Sequence, residues 1–196
     1  MAKQAERTAT TQAKILRVAQ EVFARDGYAK AALAEIVELS GVTTGAIYHH
    51  FGGKKELFIA VAKQVEQYIV DQGAAAAPAK GTKWERFEAS IGNTLEICAR
   101  PDIQRIVFRD APTVVGFFEW REIEIQYGFG QMQKAIALLA SEGIIDAPNP
   151  DLTAQILLGA IMEAAHFAAI SKNKKTAVKQ GKATINKLLQ ALLVEK

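Results

Sequence analysis

Apolar side chains recur at helical spacing along nearly the whole chain. In residues 11–26, Ile15, Ala19, Val22 and Phe23 stand at i, i+4, i+7 and i+8, which forms one apolar stripe on a helix. The same spacing recurs in residues 33–40, 54–71, 84–98, 117–141, 151–170 and 175–194. Because no segment shows the alternation typical of strands, the pattern predicts an all-α fold of about nine helices.

Glycine and proline separate these helices and divide the chain into two regions. The alanine-rich run of residues 73–81 begins and ends with glycine, and we interpret it as the connection to a second region. In that region, Pro112 and Gly116 predict a break. Asn149 followed by Pro150 predicts a helix start, because it combines a capping side chain with a proline in the first turn.

The segment LAEIVELSGVTTGAIYHHF, residues 33–51, has the pattern of a helix-turn-helix. Gly41 allows a left-handed turn between two short helices, and Ile47 anchors the second helix against the first. The polar face of the second helix carries side chains able to donate to phosphates or to meet base edges in a major groove: Thr43, Thr44, Tyr48 and His49. Spacing alone also allows a purely structural pair of helices with an amphipathic surface.

The run GVTTGAIYHHF followed by GGKKELF, after a helix that ends in FARDGY, resembles the signature of the TetR (tetracycline repressor) family of bacterial transcription regulators. The similarity spans about residues 8–60. It implies an N-terminal three-helix DNA-binding domain, a C-terminal helical domain that binds a small molecule, and a homodimer that reads a palindromic operator. We therefore expect a DNA-binding domain in residues 1–55, a ligand-binding and dimerisation domain in residues 56–196, and a fourth helix that reaches about residue 72 and links them.

The resemblance also implies which residues contact double-stranded operator DNA. The N-terminal end of the recognition helix, residues 43–49, is expected nearest the bases, and later positions contact mainly phosphate. The expected DNA-binding residues are Thr43, Thr44, Gly45, Ala46, Tyr48, His49, His50 and Lys54. For His50, packing between helices is an equal alternative.

A few positions depart from the family pattern. Ala31 and Ala32 stand where the family usually has Ser or Thr, so we expect a helix cap and a phosphate contact to be missing. Val37 replaces a small Ala and is expected to widen the crossing of two helices. Gly52 and Gly53 replace a polar cap before Lys54.

The formal net charge of +3 lies entirely in the first quarter of the chain. Residues 1–55 contain eight Lys and Arg side chains and five Asp and Glu side chains. A basic module on a neutral body is a weak indication of nucleic-acid binding, because each neutralised phosphate releases a counterion. A chance excess of solvated lysines is the alternative.

Aromatic, sulfur-containing and polar side chains of the second region are candidates for lining a cavity that binds a largely apolar small molecule. They are Phe87, Phe108, Phe117, Trp120, Tyr127, Met132, Glu163, His166 and Phe167. Most of the aromatic residues fit an ordinary core equally well. Because a buried unpaired carboxylate is costly, we expect Glu163 to pair with His166 or to face a cavity or a dimer partner.

The last two helices have wide apolar faces, as a four-helix dimer interface requires. The TetR family dimerises in this way, so the resemblance implies a homodimer. The expected dimerisation residues are Leu157, Ile161, Ile185, Leu188, Leu189 and Leu192.

Other functional classes find little support in the sequence. The chain lacks a Walker lysine loop, an HExxH motif and a GxSxG motif, so we expect no enzymatic activity, no cofactor and no metal. Cys98 is the only cysteine, which excludes an internal disulfide and suits the cytoplasm. Residues 1–10 lack the apolar core of a signal peptide, and the apolar stretch of residues 156–170 contains Glu163 and His166, so no membrane span is expected.

The leading hypothesis is a repressor that a small-molecule ligand releases from a palindromic operator. A transcriptional activator, and a helical protein that binds DNA or a ligand without operator specificity, are the alternatives.

Overall fold

The structure is a computed structural model that describes residues 2–194, with side chains from residue 6 onward. Within that part of the chain, the prediction of an all-α fold is confirmed, and strand-like pairing is limited to an isolated bridge between Ile145 and Leu193. A π-helical segment, Gln104–Asp110, accompanies the α-helices. These are α1 (Ala2–Asp26), α2 (Leu33–Ser40), α3 (Thr44–Phe51), α4 (Lys54–Ala75), α5 (Lys83–Cys98), α6 (Pro101–Ile103), α7 (Ala111–Val115), α8 (Phe117–Ile125), α9 (Gly128–Ser141), α10 (Pro150–Ile170) and α11 (Lys174–Gln190).

The chain forms two compact units, and the first contains the helix-turn-helix. This unit spans the residues up to Val65 together with Arg105–Trp120. In its core, the ring of Phe58 makes edge contacts with the rings of Phe23 and Tyr28, each at 5.1 Å between centroids. Aliphatic side chains that are fully buried complete this core, namely Ile15, Ile36, Ile47 and Leu57.

The π-helical segment is bonded to the end of α1 within the first unit. Arg105 donates to the carbonyl oxygens of Ala24, at 3.2 Å, and Arg25, and the backbone N–H of Tyr28 donates to Asp110 at 2.8 Å. The last carbonyls of a helix have no intrahelical donors, so a guanidinium there satisfies them and interacts favourably with the helix dipole. The end of α1 is therefore fixed by groups far from it in the sequence.

The second unit spans Glu66–Gln104 and the residues from Arg121 onward. Its core forms where α10 packs against α5, α9 and α11. A capping box between Thr82 and Glu85 fixes the start of α5, and asparagine side chains cap α10 and α11. The core side chains are Trp84, Ile91, Leu95, Phe129, Met132, Ile136, Leu139, Ile145, Ala154, Leu157, Ile161, Ile185 and Leu189.

The prediction of one long helix over residues 117–141 is wrong, because α8 ends at Ile125 before α9 begins. A Cβ atom on residue 130 would overlap the carbonyl oxygen of Ile125, so the close approach at this break requires Gly130. The break predicted at Pro112 and Gly116 lies at Gly116, which has φ +111° between α7 and α8, whereas Pro112 itself does not interrupt a helix. That proline lies in the first turn of α7, where its missing N–H has no intrahelical partner to lose.

By length and composition alone, α10 is long and apolar enough to cross a membrane, contrary to the expectation from Glu163 and His166. A core helix of a soluble protein meets the same criterion. One side of α10 lies in the core of the second unit through Ala154, Leu157, Ile161 and Ala165. That packing accounts for part of its apolar character.

Truncation of Phe58 tests the core of the first unit. Phe58→Ala removes a fully buried ring, and we expect the free energy of unfolding to fall by about 3–5 kcal/mol because a cavity replaces it. Phe118→Ala is the matched control, because Phe118 is 80% exposed and its loss should change the free energy of unfolding by less than about 0.5 kcal/mol. Urea denaturation followed by circular dichroism measures both, and equal losses would contradict this packing.

Candidate functional sites

The turn between α2 and α3 has the geometry expected of a helix-turn-helix. Gly41 ends α2 in the left-handed region with φ +60°, and its N–H donates to the carbonyl of Glu38 at 3.1 Å. Thr43 caps α3, since its hydroxyl oxygen accepts from the N–H of Ala46 at 3.2 Å. The start of the candidate recognition helix is therefore fixed by its own sequence.

The polar side of α3 forms a continuous exposed surface, which we call the recognition surface: Thr43, Thr44, Gly45, Tyr48 and His49. Ile47 points the other way and is fully buried, so packing of one residue sets which side faces out. Ala46 and His50 are half-buried, and the His50 ring lies 5.2 Å from that of His49. The contacts of these residues with DNA stay a prediction.

Lys54 is positioned by an aromatic ring at the start of α4. Its Nζ lies 4.6 Å from the centroid of the Tyr28 ring, and its side chain is half-buried. This cation–π contact orders a long, otherwise mobile side chain. The lysine charge is thus held at the N-terminus of a helix, where anions are favoured.

The expected loss of a cap on α2 is present in the structure. Ala32 occupies the N-cap position, and no side chain there bonds the free N–H groups of the first turn. An ion pair between Arg25 and Glu35, at 2.8 Å, joins α1 to α2 instead. Because both side chains are partly exposed, this pair contributes little stability, of the order of 0–1 kcal/mol.

The structure distributes the candidate ligand residues of the second unit between core and surface. Met132 belongs to the core, and Phe87 packs against it. Tyr127 is half-buried, whereas Phe167 is exposed on α10. Met132 and Phe87 therefore have a packing role that needs no ligand.

Glu163 and His166 also lie on the exposed side of α10. Within its own chain Glu163 is therefore not a buried carboxylate, and its orientation toward a dimer partner stays a prediction. The Nδ1 atom of His166 lies 3.4 Å from Oε1 of Gln104. In the first unit, Phe117 is exposed, Phe108 is half-buried and Trp120 is buried.

The expected dimerisation residues are also divided between the core and the surface. Four of the six are buried in the core of their own unit, where they hold α10 and α11 in place: Leu157, Ile161, Ile185 and Leu189. Their side chains are therefore not available to a partner. Leu188 is exposed and Leu192 is half-buried.

Glu66 of α4 was not predicted as a site residue. Among the described side chains it is the only charged one that is buried, with 6% of its surface exposed, and none of the hydrogen bonds or ion pairs of the described residues reaches its carboxylate. Burial, and to a lesser extent the neighbouring charge of Glu124, raises the pKa of Glu66 to about 8. The carboxyl group is thus largely protonated at neutral pH.

The sequence does contain a signal for this residue. Glu66 follows Phe58 and Ala62 at i+8 and i+4, so it stands within the apolar stripe of α4. A carboxylate at an apolar position of a stripe either finds a partner or becomes functional. Periodicity alone could have identified it on that ground.

Two family profiles match the chain. The profile described as "Bacterial regulatory proteins, tetR family" matches residues 15–61, and "Tetracyclin repressor-like, C-terminal domain" matches residues 84–192. The first match contains the helix-turn-helix, and the second covers more than half of the chain.

Matches to similar proteins cover between about half and nearly the full length of the chain. The Transposon Tn10 TetC protein of Escherichia coli is 27% identical over 91% of this chain and 89% of its own. The HTH-type transcriptional repressor AcnR of Corynebacterium jeikeium is 33% identical over 46% of this chain and 50% of its own. The crystal structure of a TetR-family transcriptional regulator from Pectobacterium atrosepticum is 32% identical, with a TM-score of 0.77 over 97% of both chains.

The pH dependence of stability tests the burial of Glu66. Between pH 4.5, the ordinary pKa, and about 8, the folded chain keeps a proton that the unfolded chain releases. The titration of Glu66 therefore lowers the free energy of unfolding of the wild type as the pH rises, by at most about 1.4 kcal/mol per pH unit. The Glu66→Gln variant has no carboxyl group to titrate at this position. We therefore expect its free energy of unfolding, relative to that of the wild type, to rise over the same pH interval.

The measurement is urea denaturation at a series of pH values. Glu122→Gln is the matched control, since Glu122 is exposed on the same unit. A difference between the Glu66→Gln variant and the wild type that stays constant with pH would contradict the raised pKa of Glu66.

Proposed function

The chain belongs to the TetR family of bacterial regulatory proteins, and from this premise we propose that it is a repressor that leaves a palindromic operator when a small-molecule ligand binds. The observation that carries the proposal is the helix-turn-helix, in which α3 is capped by Thr43, anchored by Ile47 and exposed on its polar side. A helix of this kind fits the major groove, where its N-terminal residues meet base edges.

The recognition surface supplies the two kinds of contact that an operator requires. Thr43 and Thr44 offer hydroxyl groups to base edges, and Gly45 leaves room for close approach of the helix backbone. Tyr48 and His49 offer donors to phosphates, and Lys54 adds a positive charge beside them. Base contacts select the sequence, and phosphate contacts fix the register of the helix on the duplex.

A homodimer completes this mechanism. Two recognition helices in successive major grooves lie about 34–36 Å apart, so the two-fold symmetry of a dimer matches a palindrome. The outer side of α10, together with α11, is the surface that supports pairing, because large apolar side chains are exposed there: Leu152, Ile156, Phe167, Ile170 and Leu188. An exposed apolar patch of this kind marks an association surface.

Ligand control requires a difference in affinity between two states. The dimer has a DNA-binding and a non-DNA-binding arrangement. A ligand that binds the second unit more tightly in the non-DNA-binding arrangement shifts the dimer away from the operator. A ligand with equal affinity for both arrangements would change nothing. The effector is a small, largely apolar molecule, and the regulator acts in the cytoplasm, where the operator lies.

The direct test is protection of the DNA upstream of the protein's own gene in a footprinting assay. In quantitative binding experiments, Lys54→Ala should weaken binding to operator and to unrelated DNA about equally, and should lower the salt slope by about one for each protomer. Lys80→Ala, which removes an exposed lysine outside the helix-turn-helix, is the control for net charge. Thr44→Ala should instead change the preference among operator variants by about 1–3 kcal/mol.

Two results would count against the operator proposal. One is the absence of binding to the upstream region and to any palindrome selected from a random pool. The other is an equal response to Lys54→Ala and Lys80→Ala.

The pairing surface is tested by a charge on α10. Ile156 is 62% exposed, and Ile156→Glu should shift the protein from dimer to monomer, because two carboxylates would be buried at a two-fold interface. Leu138→Glu places the same charge at an exposed apolar position of α9 and should leave the dimer intact. Analytical ultracentrifugation measures both, and a dimer that survives Ile156→Glu at the wild-type dissociation constant would refute this surface.

A further inference from the structure

We propose that Glu66 anchors the effector and that the effector is an apolar organic cation with an ammonium group that donates to this carboxylate. The inference deepens the proposed function by naming the class of ligand, and it rests on an effector site in the second unit. It starts from a buried acid that the helix packing leaves without a hydrogen bond or an ion pair among the described residues.

The neighbouring charges leave Glu66 as the uncompensated group. Glu124 has an ion pair with Arg121, whose Nη1 lies 3.2 Å from the carboxylate oxygen. The guanidinium of Arg121 also lies 5.1 Å from the centroid of the Phe129 ring. The charge of Arg121 is balanced by that of Glu124. When Glu66 is ionised, a further positive charge is therefore required to balance it.

A methyl-sized gap lies beside the Glu66 carboxylate. A Cβ atom on Gly128 would meet Oε2 of Glu66 and Cγ2 of Val70, both at 3.8 Å, which is ordinary van der Waals distance. There is therefore room for at least one methyl-sized group next to a carboxylate oxygen and an apolar wall. A hydrogen bond needs about 2.7–3.2 Å, so in this proposal the ammonium nitrogen lies closer to Oε2 than that position and donates to it, while the adjoining carbon of the ligand contacts Val70.

The chemistry of the neighbours selects an organic cation over other ligands. The described residues contain no group of three or more His, Cys, Asp and Glu side chains placed to hold a metal ion. Cys98 is a poor metal ligand, because burial raises the pKa of its thiol far above the ordinary value. An anion would meet the charges of Glu66 and Glu124, and a neutral alcohol would bring a donor but no charge.

Proton release accompanies this binding. Glu66 holds a proton below a pKa of about 8, and a cation binds the ionised form, so one proton leaves for each ligand bound at neutral pH. Among the described residues, Glu124 of α8 and Cys98 of α5 are titratable groups that interact electrostatically with Glu66. Affinity for the amine should therefore rise with pH up to about 8 and then level off.

The experiment compares three ligands with the same ring system and different charge: naphthylmethylamine, naphthylmethanol and naphthoate. Isothermal titration calorimetry on the whole protein, in two buffers of different ionisation enthalpy, gives affinity and proton release without DNA. We expect the wild type to bind the amine roughly ten- to hundred-fold more tightly than the alcohol, the range of hydrogen bonds to charged groups. The amine should release a proton and the alcohol should not.

Two variants locate the contact. Glu66→Gln should bind amine and alcohol alike and release no proton. Gly128→Ala keeps every charge but fills the space beside Oε2, so it should weaken amine binding, whereas Gly92→Ala, at a position with open space on α5, should not. Wild-type amine affinity in Glu66→Gln or Gly128→Ala, or no preference of the wild type for the amine, would overturn the inference. Release of operator DNA is measured separately, so an amine that binds through Glu66 without releasing DNA would refute the proposed function alone.

Discussion

The contact between the rings of Tyr28 and Phe58 is the interaction on which the arrangement of the first unit depends. Tyr28 follows Gly27, whose φ of +80° turns the chain at the end of α1, and its ring lies 5.1 Å from that of Phe58. The same residue holds the lysine at the start of α4 and bonds Asp110 through its N–H. One residue thus joins three segments that are distant in sequence, through its ring and its backbone N–H. The recognition helix lies in the chain between two of them, so apolar packing, more than polar contact, sets its position.

The sequence was sufficient for those parts of the first unit that are encoded locally. The spacing of Ile15, Val22 and Phe23, the glycine at position 41 and the cap at Thr43 each act over a few residues, and each is as predicted. The participation of residues 105–120 was not predictable in this way. Asp110 and Tyr28 are 82 positions apart, and periodicity identifies a buried face without identifying the element that covers it.

In the second unit, apolar periodicity does not identify which side of a helix faces the core. On α10, Ile156 is exposed and its neighbour Leu157 is buried, and apolar residues occupy both sides of the helix. When a helix is apolar all round, the pattern does not tell which side faces the chain's own core. Leu157 and Ile161, the two expected dimerisation residues on this helix, both belong to the core. The same ambiguity applies to Glu163, which stands among apolar residues of α10 and is exposed.

Buried polar groups show how far the fold satisfies its own donors and acceptors. Ser40 is fully buried, and its hydroxyl donates to the carbonyl of Ile36 at 2.5 Å, so the fold itself satisfies it. Glu66 is buried in the same chain without such a donor, and its raised pKa reflects the cost of charging it there. A leucine or glutamine would fit the stripe of α4 at lower cost. In the proposal made above, a cationic ligand that binds after folding supplies the positive charge that the helices around Glu66 do not provide, and this would offset the cost of ionising the carboxyl group.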